Sequence, residues 1–345
     1  MYKIVIRPLL FLFKPETIHH FISSVLKIIR RIPLLSLLPK KIYHIKNKKL
    51  SREFLGMHFE NPVGLAAGFD KNAELYNELS SFGFSFIEIG TVTPVGQPGN
   101  PKPRSFRLVE DKALINRMGF NNRGVDYAVS RLKKDKPKVI IGGNIGKNTS
   151  TPNTEAIEDY KVTFRKIYDY VDYLVINLSC PNIENLNELQ DSEHTVKIIN
   201  ELDNLRATFN KRKPILLKIS PDIDKKGLDD VIEIYYKTGI DGIIATNTTS
   251  LRDNLKTPQE KITRIGKGGL SGTPLKNRAT EHIRYLAQKT KNEIPIIGVG
   301  GIMTPKDALE KLNAGATLVQ IYTGFIYSGP AIVKQINKAI LKNQY

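Results

Sequence analysis

From about residue 60 onward, short apolar runs alternate with longer amphipathic stretches. The runs are 62–68, 85–90, 138–145, 172–178, 214–219, 241–246, 294–299 and 317–322, most of them rich in Ile, Val and Leu. Continuous apolar runs of this length read as strands buried on both faces, the signature of a parallel sheet. Between them, 72–82, 154–170, 228–237, 277–291 and 305–313 show helical spacing. The last opens on Thr304-Pro305, an N-cap followed by a first-turn proline. Parallel neighbours need crossover helices, so eight such units predict a (β/α)8 barrel.

Residues 1–45 follow a different pattern. Ile18, Phe21, Ile22, Val25, Leu26, Ile28, Ile29 and Ile32 recur at helical spacing beside Lys27, Arg30 and Arg31, with Glu16-Thr17 as the start and Pro33 as the stop. A second apolar piece, 34–38, is bracketed by Pro33 and Pro39. No run reaches the roughly 18 apolar residues that span a bilayer. Pro15, His19 and His20 break the apolar stretches, and no small-residue cleavage site follows, which argues against a secretory signal. A basic amphipathic helical pair fits an anionic membrane surface; packing onto the main domain is the alternative. The chain thus divides into a membrane-associating helical segment, 1–45, and a barrel, 46–345.

The net charge of +18 sharpens that division. Residues 1–50 hold eleven Lys and Arg against Glu16 alone, so the excess is local and does not form a nucleic-acid footprint over the barrel. With one cysteine, Cys180, the chain has neither an internal disulfide nor a cysteine-based zinc site, as suits a reducing compartment.

Barrel active sites gather at strand C-terminal ends. Those ends carry Lys71, Thr91, Asn144, Asn177 with Cys180, Lys218, Thr246 with Asn247, Gly300 with Gly301, and Tyr322 with Thr323. Acids are few there, so no metal site is expected. Amide-rich rims suit a planar heterocycle with several donors and acceptors. Two glycine loops, 266–272 and 298–301, follow late strands, where barrels commonly bind phosphate, and so imply a phosphorylated cofactor. Pro181 forces a turn just after Cys180 and presents the thiol at the rim.

These residues fall into motifs: Gly64-Leu-Ala-Ala-Gly-Phe-Asp-Lys71, Glu88-Ile-Gly-Thr-Val-Thr-Pro94, Asn116-Arg-Met-Gly-Phe-Asn-Asn122, Asn144-Ile-Gly-Lys147, Ile244-Ala-Thr-Asn-Thr-Thr249 and Gly298-Val-Gly-Gly-Ile302. Through them the chain resembles the dihydroorotate dehydrogenases over essentially its whole length. The N-terminal helices and the run Gln97-Pro-Gly-Asn-Pro-Lys-Pro-Arg104 look like the membrane-associated, quinone-reducing class of that family. The resemblance implies an FMN enzyme of de novo pyrimidine synthesis, peripheral on the cytoplasmic face of the cell membrane, oxidising dihydroorotate to orotate.

The resemblance also implies roles. FMN would be held by Ala67, Gly68, Thr91, Asn144, Asn177, Lys218, Thr246, Gly272, Gly301, Tyr322 and Thr323. Substrate would be gripped by Lys71, by Asn116, Arg117, Met118, Gly119 and Phe120, and by Asn177, Asn182, Asn247 and Thr248. His19, Arg107 and Tyr322 would line a quinone tunnel, and Cys180 would be the catalytic base. Here the sequence departs from its class, which carries serine at that position, whereas the soluble class carries cysteine. The stretch 183–190 also lacks the family's usual Pro-Gly. Three alternatives stay open: a soluble-type enzyme passing electrons to fumarate or NAD, a flavin-dependent tRNA dihydrouridine synthase, and an inactive barrel serving as a membrane module.

Overall fold

A computed structural model describes residues 2–178 and 192–343. Eight parallel strands close a barrel in strictly sequential order: β1 Val63–Asp70, β2 Phe86–Val92, β3 Ile140–Ile145, β4 Tyr173–Asn177, β5 Ile215–Ile219, β6 Gly242–Ala245, β7 Ile296–Val299 and β8 Leu318–Ile321. Each of the eight apolar runs supplies one strand. β8 pairs with β1 through Gln320↔Gly64, which seals the cylinder. Aliphatic side chains on the outer faces of the strands pack under the surrounding helices, while Phe86, Tyr173, Val175, Leu216, Ile244, Ile297 and Leu318 fill the interior.

The floor is closed by aromatics. Gly64 leaves room for the Phe86 ring, since a Cβ there would lie 2.3 Å from Phe86 Cζ. A short hairpin, Arg52–Phe54 with Met57–Phe59, sets Phe59 edge-on against Phe86 at 5.2 Å. Traffic into the barrel therefore uses the opposite, C-terminal mouth.

Most helical expectations hold, with instructive exceptions. Thr304 caps helix Pro305–Asn313 in a reciprocal box with Asp307. The stretch 72–82 forms helix only over Tyr76–Ser80, because the Asp70 carboxylate accepts the backbone N–H groups of Glu74 and Leu75 and holds the residues before them in turns. The 34–38 piece does not stop at Pro39. The helix runs over Pro33–Tyr43, and the bond that Pro39 cannot donate is lost on a helix without buried residues, where water replaces it. The glycine run 266–272 follows β6 rather than β7 or β8. Its residues Gly269–Gly272 form a strand beside Ala113–Asn116, which pairs in turn with Ser105–Leu108.

Of three α-helices, each with a proline in its first turn, α1 Arg7–Phe11 and α2 Pro15–Arg31 lie over the mouth, while α3 Pro33–Tyr43 ends with Tyr43 against Phe82 and with Ile42 O accepting from Lys334. α2 carries Glu16 in its first turn and Arg30 and Arg31 in its last, matching its macrodipole. Ion pairs dock it: Lys27 with Glu74 at 2.6 Å, and Arg30 with Glu78 and Asp135. No helix among the described residues is long and apolar enough to cross a membrane.

Candidate active site

One cavity of about 640 Å³ joins the barrel mouth to the underside of α2. At the barrel end, Thr91, Asn177, Lys218 and Thr246 line it together with Asn247 and Thr248; at the helix end, Ile18, Ile22, Leu26, Phe325 and Ile326 do. A polar compartment thus opens into an apolar one.

The polar end is built from inward-facing positions of the strands. Asn177 Nδ2 donates to Thr91 Oγ1 (2.9 Å), Thr91 Oγ1 donates to Asn144 Oδ1 (2.5 Å), and Asn247 Nδ2 donates to Asn177 Oδ1 (3.2 Å). Below them Glu88, fully buried, accepts from Asn144 Nδ2 at 2.8 Å, Gln320 Nε2 at 2.6 Å and Lys218 Nζ at 3.3 Å. A carboxylate with three donors is what a buried charge requires, and it fixes both Lys218 and Asn144. Glu88, Gln320 and Asn121, whose Oδ1 accepts from Lys71 Nζ at 2.8 Å, were not singled out from the sequence. An acid inside the apolar run Phe-Ile-Glu-Ile, two residues from Phe86 and so on the same face, was the available signal.

Ala67, Gly68, Gly272, Gly301, Tyr322 and Thr323 also line the cavity. Gly272 and Gly301 sit at φ +99° and +70°, and a Cβ on either would lie 2.4 Å from backbone atoms of Lys112 or Lys276. These positions need glycine and leave bare backbone beside the first turn of helix Thr323–Ser328. Asn144 does not face the cavity: it is completely buried one layer below, where its Oδ1 accepts from Thr91 and Asn177.

Lys71, Asn116, Met118, Gly119 and Phe120 reach the cavity as expected. Arg117 does not. Its guanidinium lies 4.8 Å over the Phe106 ring and donates to the carbonyls of Pro103, Ile265 and Lys267, because alternation along the strand that ends at Asn116 turns it outward. Cys180 and Asn182 lie outside the described residues.

His19, Arg107 and Tyr322 all line the same cavity. His19 packs edge-on against Phe69 at 5.1 Å, and Phe69 against Tyr322 at 5.5 Å, an aromatic path from α2 to the barrel rim. Burial, helped by the nearby Lys71 and His20 charges, pushes the His19 imidazole down to about 4, so it is neutral near pH 7. Burial pushes the Tyr322 hydroxyl up to about 12, and it stays protonated. Arg107 lies 4.4 Å over the Phe11 ring and donates to Phe13 O at 2.6 Å, tying the loop after α1 to the small sheet.

Closed barrel, amide-lined mouth and glycine cradle define a class, and the chain belongs to it: residues 49–343 match the dihydroorotate dehydrogenase family, whose members generally use flavin. More particularly, the chain is 55% identical to the dihydroorotate dehydrogenase (quinone) of Christiangramia forsetii, covering 99% of each chain. It is 45% identical to the enzyme of the same name from Idiomarina loihiensis, over 97% of this chain and 99% of that one. Among solved structures, the Eimeria tenella dihydroorotate dehydrogenase in complex with ferulenol superposes with a TM-score of 0.84 at 35% identity, covering 95% of this chain and 91% of that one.

Proposed function

We propose that this chain oxidises dihydroorotate to orotate with a quinone as acceptor, in pyrimidine biosynthesis, and that its cofactor is FMN. The observation that carries the reading is one continuous cavity with a polar, amide-lined end and an apolar end under α2. A charged pyrimidine and a lipid-soluble acceptor can each find matching chemistry there.

The residues fit the cofactor. Gly272 and Gly301 leave the approach of a phosphate unobstructed beside Thr323, and Asn177, Thr246 and Lys218 offer the donors and acceptors a flavin ring needs. FMN held by these residues would supply hydride acceptance and onward electron transfer. Lys218, held by Glu88, supplies positive charge where negative charge would develop.

Lys71, oriented by Asn121, meets the substrate carboxylate, and Asn116, Asn177 and Asn247 match the alternating N–H and C=O groups of the pyrimidine. Cys180, three residues past Asn177 in sequence, takes the proton from C5 as the hydride leaves C6. His19, Arg107 and Tyr322 line the acceptor's path.

Among the described residues, every strongly exposed large hydrophobic side chain lies in 4–42 apart from Val95, Val109, Tyr236 and Leu251. Leu34 is 84% exposed and Ile4 81%, and lysines and arginines flank them. This supports peripheral binding of 1–45 to the anionic cytoplasmic face of the cell membrane, which would also deliver the acceptor. The test is dihydroorotate oxidation with a ubiquinone analogue or fumarate as sole acceptor. Turnover with the quinone and little with fumarate is expected; the reverse pattern would overturn the acceptor assignment.

A further inference from the structure

One largely buried ion pair ties α2 to the loop that borders the polar end of the cavity. Glu16, in the first turn of α2, receives Arg104 through Nη2 at 2.7 Å and Nε at 3.2 Å, and both side chains are nearly buried, at 15% and 8% exposure. Lys102 stands 3.6 Å from the same carboxylate on the solvent side. Burial works against the charge on Glu16, but the Arg104 guanidinium more than offsets it and holds the carboxyl below its ordinary value.

The rest of Arg104 is spent on one loop. Its Nη1 donates to Pro98 O at 2.6 Å and Asn100 O at 3.0 Å, and its own carbonyl accepts Arg117 N at 2.9 Å. Asn100 N donates to Met118 O, and Gln97 Nε2 to the carbonyls of Gly119 and Phe120. Segment 97–104 is therefore the frame on which 117–120 is hung. That second segment needs a frame, because Phe120 sits at φ +50°, a left-handed conformation that a bulky side chain does not hold unaided.

We propose that Arg104 is a positioning residue for the substrate pocket and that Glu16 anchors it, so that the N-terminal helix completes the dihydroorotate site as well as the acceptor's path. The inference rests on the functional reading above. Met118, Gly119 and Phe120 line the polar end, and their backbone is fixed through Arg104 to a helix that could be thought to serve only the acceptor. Substrate and acceptor sites are then coupled through one charge pair, and the coupling is reciprocal.

The test uses the full-length holoenzyme and Glu16→Gln, which keeps shape and loses charge. Orotate affinity is read from calorimetry, dihydroorotate affinity from anaerobic reduction of the bound flavin without quinone, and loop order from amide hydrogen exchange. The expected result is a roughly tenfold weaker affinity for both ligands, with the limiting reduction rate within about twofold, and faster exchange over 97–104 and 116–121. Arg30→Gln, which loosens the far end of α2 through Glu78 and Asp135, should change none of these. The proposal is overturned if Glu16→Gln raises only the KM for quinone, if exchange over 116–121 is unmoved, or if Arg30→Gln has the same effect. A wild-type protein that binds neither orotate nor dihydroorotate would instead sink the functional reading, while exchange would still decide whether Glu16 orders the loop.

Discussion

Glu88→Leu should be among the most damaging single changes in the barrel. The substitution removes the acceptor for three donors in a region closed below by Phe86 and Phe59: the Lys218 ammonium at 3.3 Å, the Gln320 amide at 2.6 Å and the Asn144 amide at 2.8 Å. Glu88 is fully buried and the Lys218 side chain is 6% exposed, so water replaces little of what is lost. Removing one partner of a buried pair costs about 3–5 kcal/mol. Each kcal/mol moves the melting midpoint by about 2–4 °C in domains approaching this size, so a fall on the order of 10 °C is expected. The informative comparison is Glu88→Leu with Lys218→Met in the same chain. Replacing a buried pair by apolar residues is far cheaper than orphaning one member, so the double variant should recover at least ~2 kcal/mol relative to the sum of the single variants. Melting is followed by circular dichroism, with and without added FMN, because bound cofactor stabilises by mass action. Additive single effects, or a Glu88→Leu midpoint within a degree or two of the parent, would refute the argument that this network holds Lys218.

Four further outcomes are expected. Gly301→Ala forces a Cβ to within 2.4 Å of Lys276 at φ +70°, so the purified protein should be largely colourless; a normal flavin spectrum would remove the cradle from the site. His19 is pushed down to about 4 in the fold against about 6.5 unfolded, so between these values the unfolded state binds the extra proton, and docking of α2 should weaken as pH falls from about 6.5 to 4. His19→Gln should flatten that slope in limited proteolysis of residues 1–45. Leu34→Glu with Leu37→Glu should abolish co-sedimentation with anionic vesicles while leaving turnover with a soluble quinone analogue near the parent's. Cys180→Ser should shift the rising limb of the pH–rate profile upward, since a thiol near 8.5 ionises far more readily than a hydroxyl; an unmoved profile would remove Cys180 from the proton-transfer step.

The barrel was legible because burial on both faces of a parallel strand writes itself as an uninterrupted apolar run, and all eight runs became strands. Rim positions followed from the same reading, since Thr91, Asn177, Lys218 and Thr246 sit at or near strand ends. What the runs hid was the inner layer. Period-two alternation places Glu88 with Phe86, Lys218 with Leu216 and Gln320 with Leu318 on the inside, but an apolar run does not show which of its faces is inward. Arg117 was misplaced for a related reason: its motif neighbours reach the cavity, whereas the alternation that turns it toward Ile265 depends on a strand the pattern did not mark. The Glu16–Arg104 pair spans 88 positions and joins two segments with no shared periodicity, so no local pattern announced it.

The N-terminal helices are made before the barrel surfaces they rest on. α2 has early partners in Glu74, Glu78, Arg104 and Asp135, but Tyr2 donates to Ile326 O, Arg7 to Tyr327 O, and Lys334 to Ile42 O, so the seats of the first residues and of the end of α3 appear only when nearly the whole chain has been made. Ile4, Leu9, Leu12, Leu34 and Leu37 stay exposed even after docking, so the barrel never covers them. Synthesis thus sets an order: α2 can meet its ion-pair partners first, and the two flanks of the helical segment dock last, once the barrel has closed. A nascent chain of this design gains from meeting a lipid surface or a chaperone before its own barrel exists, and truncated products that stop short of β8 should be the most aggregation-prone species it makes.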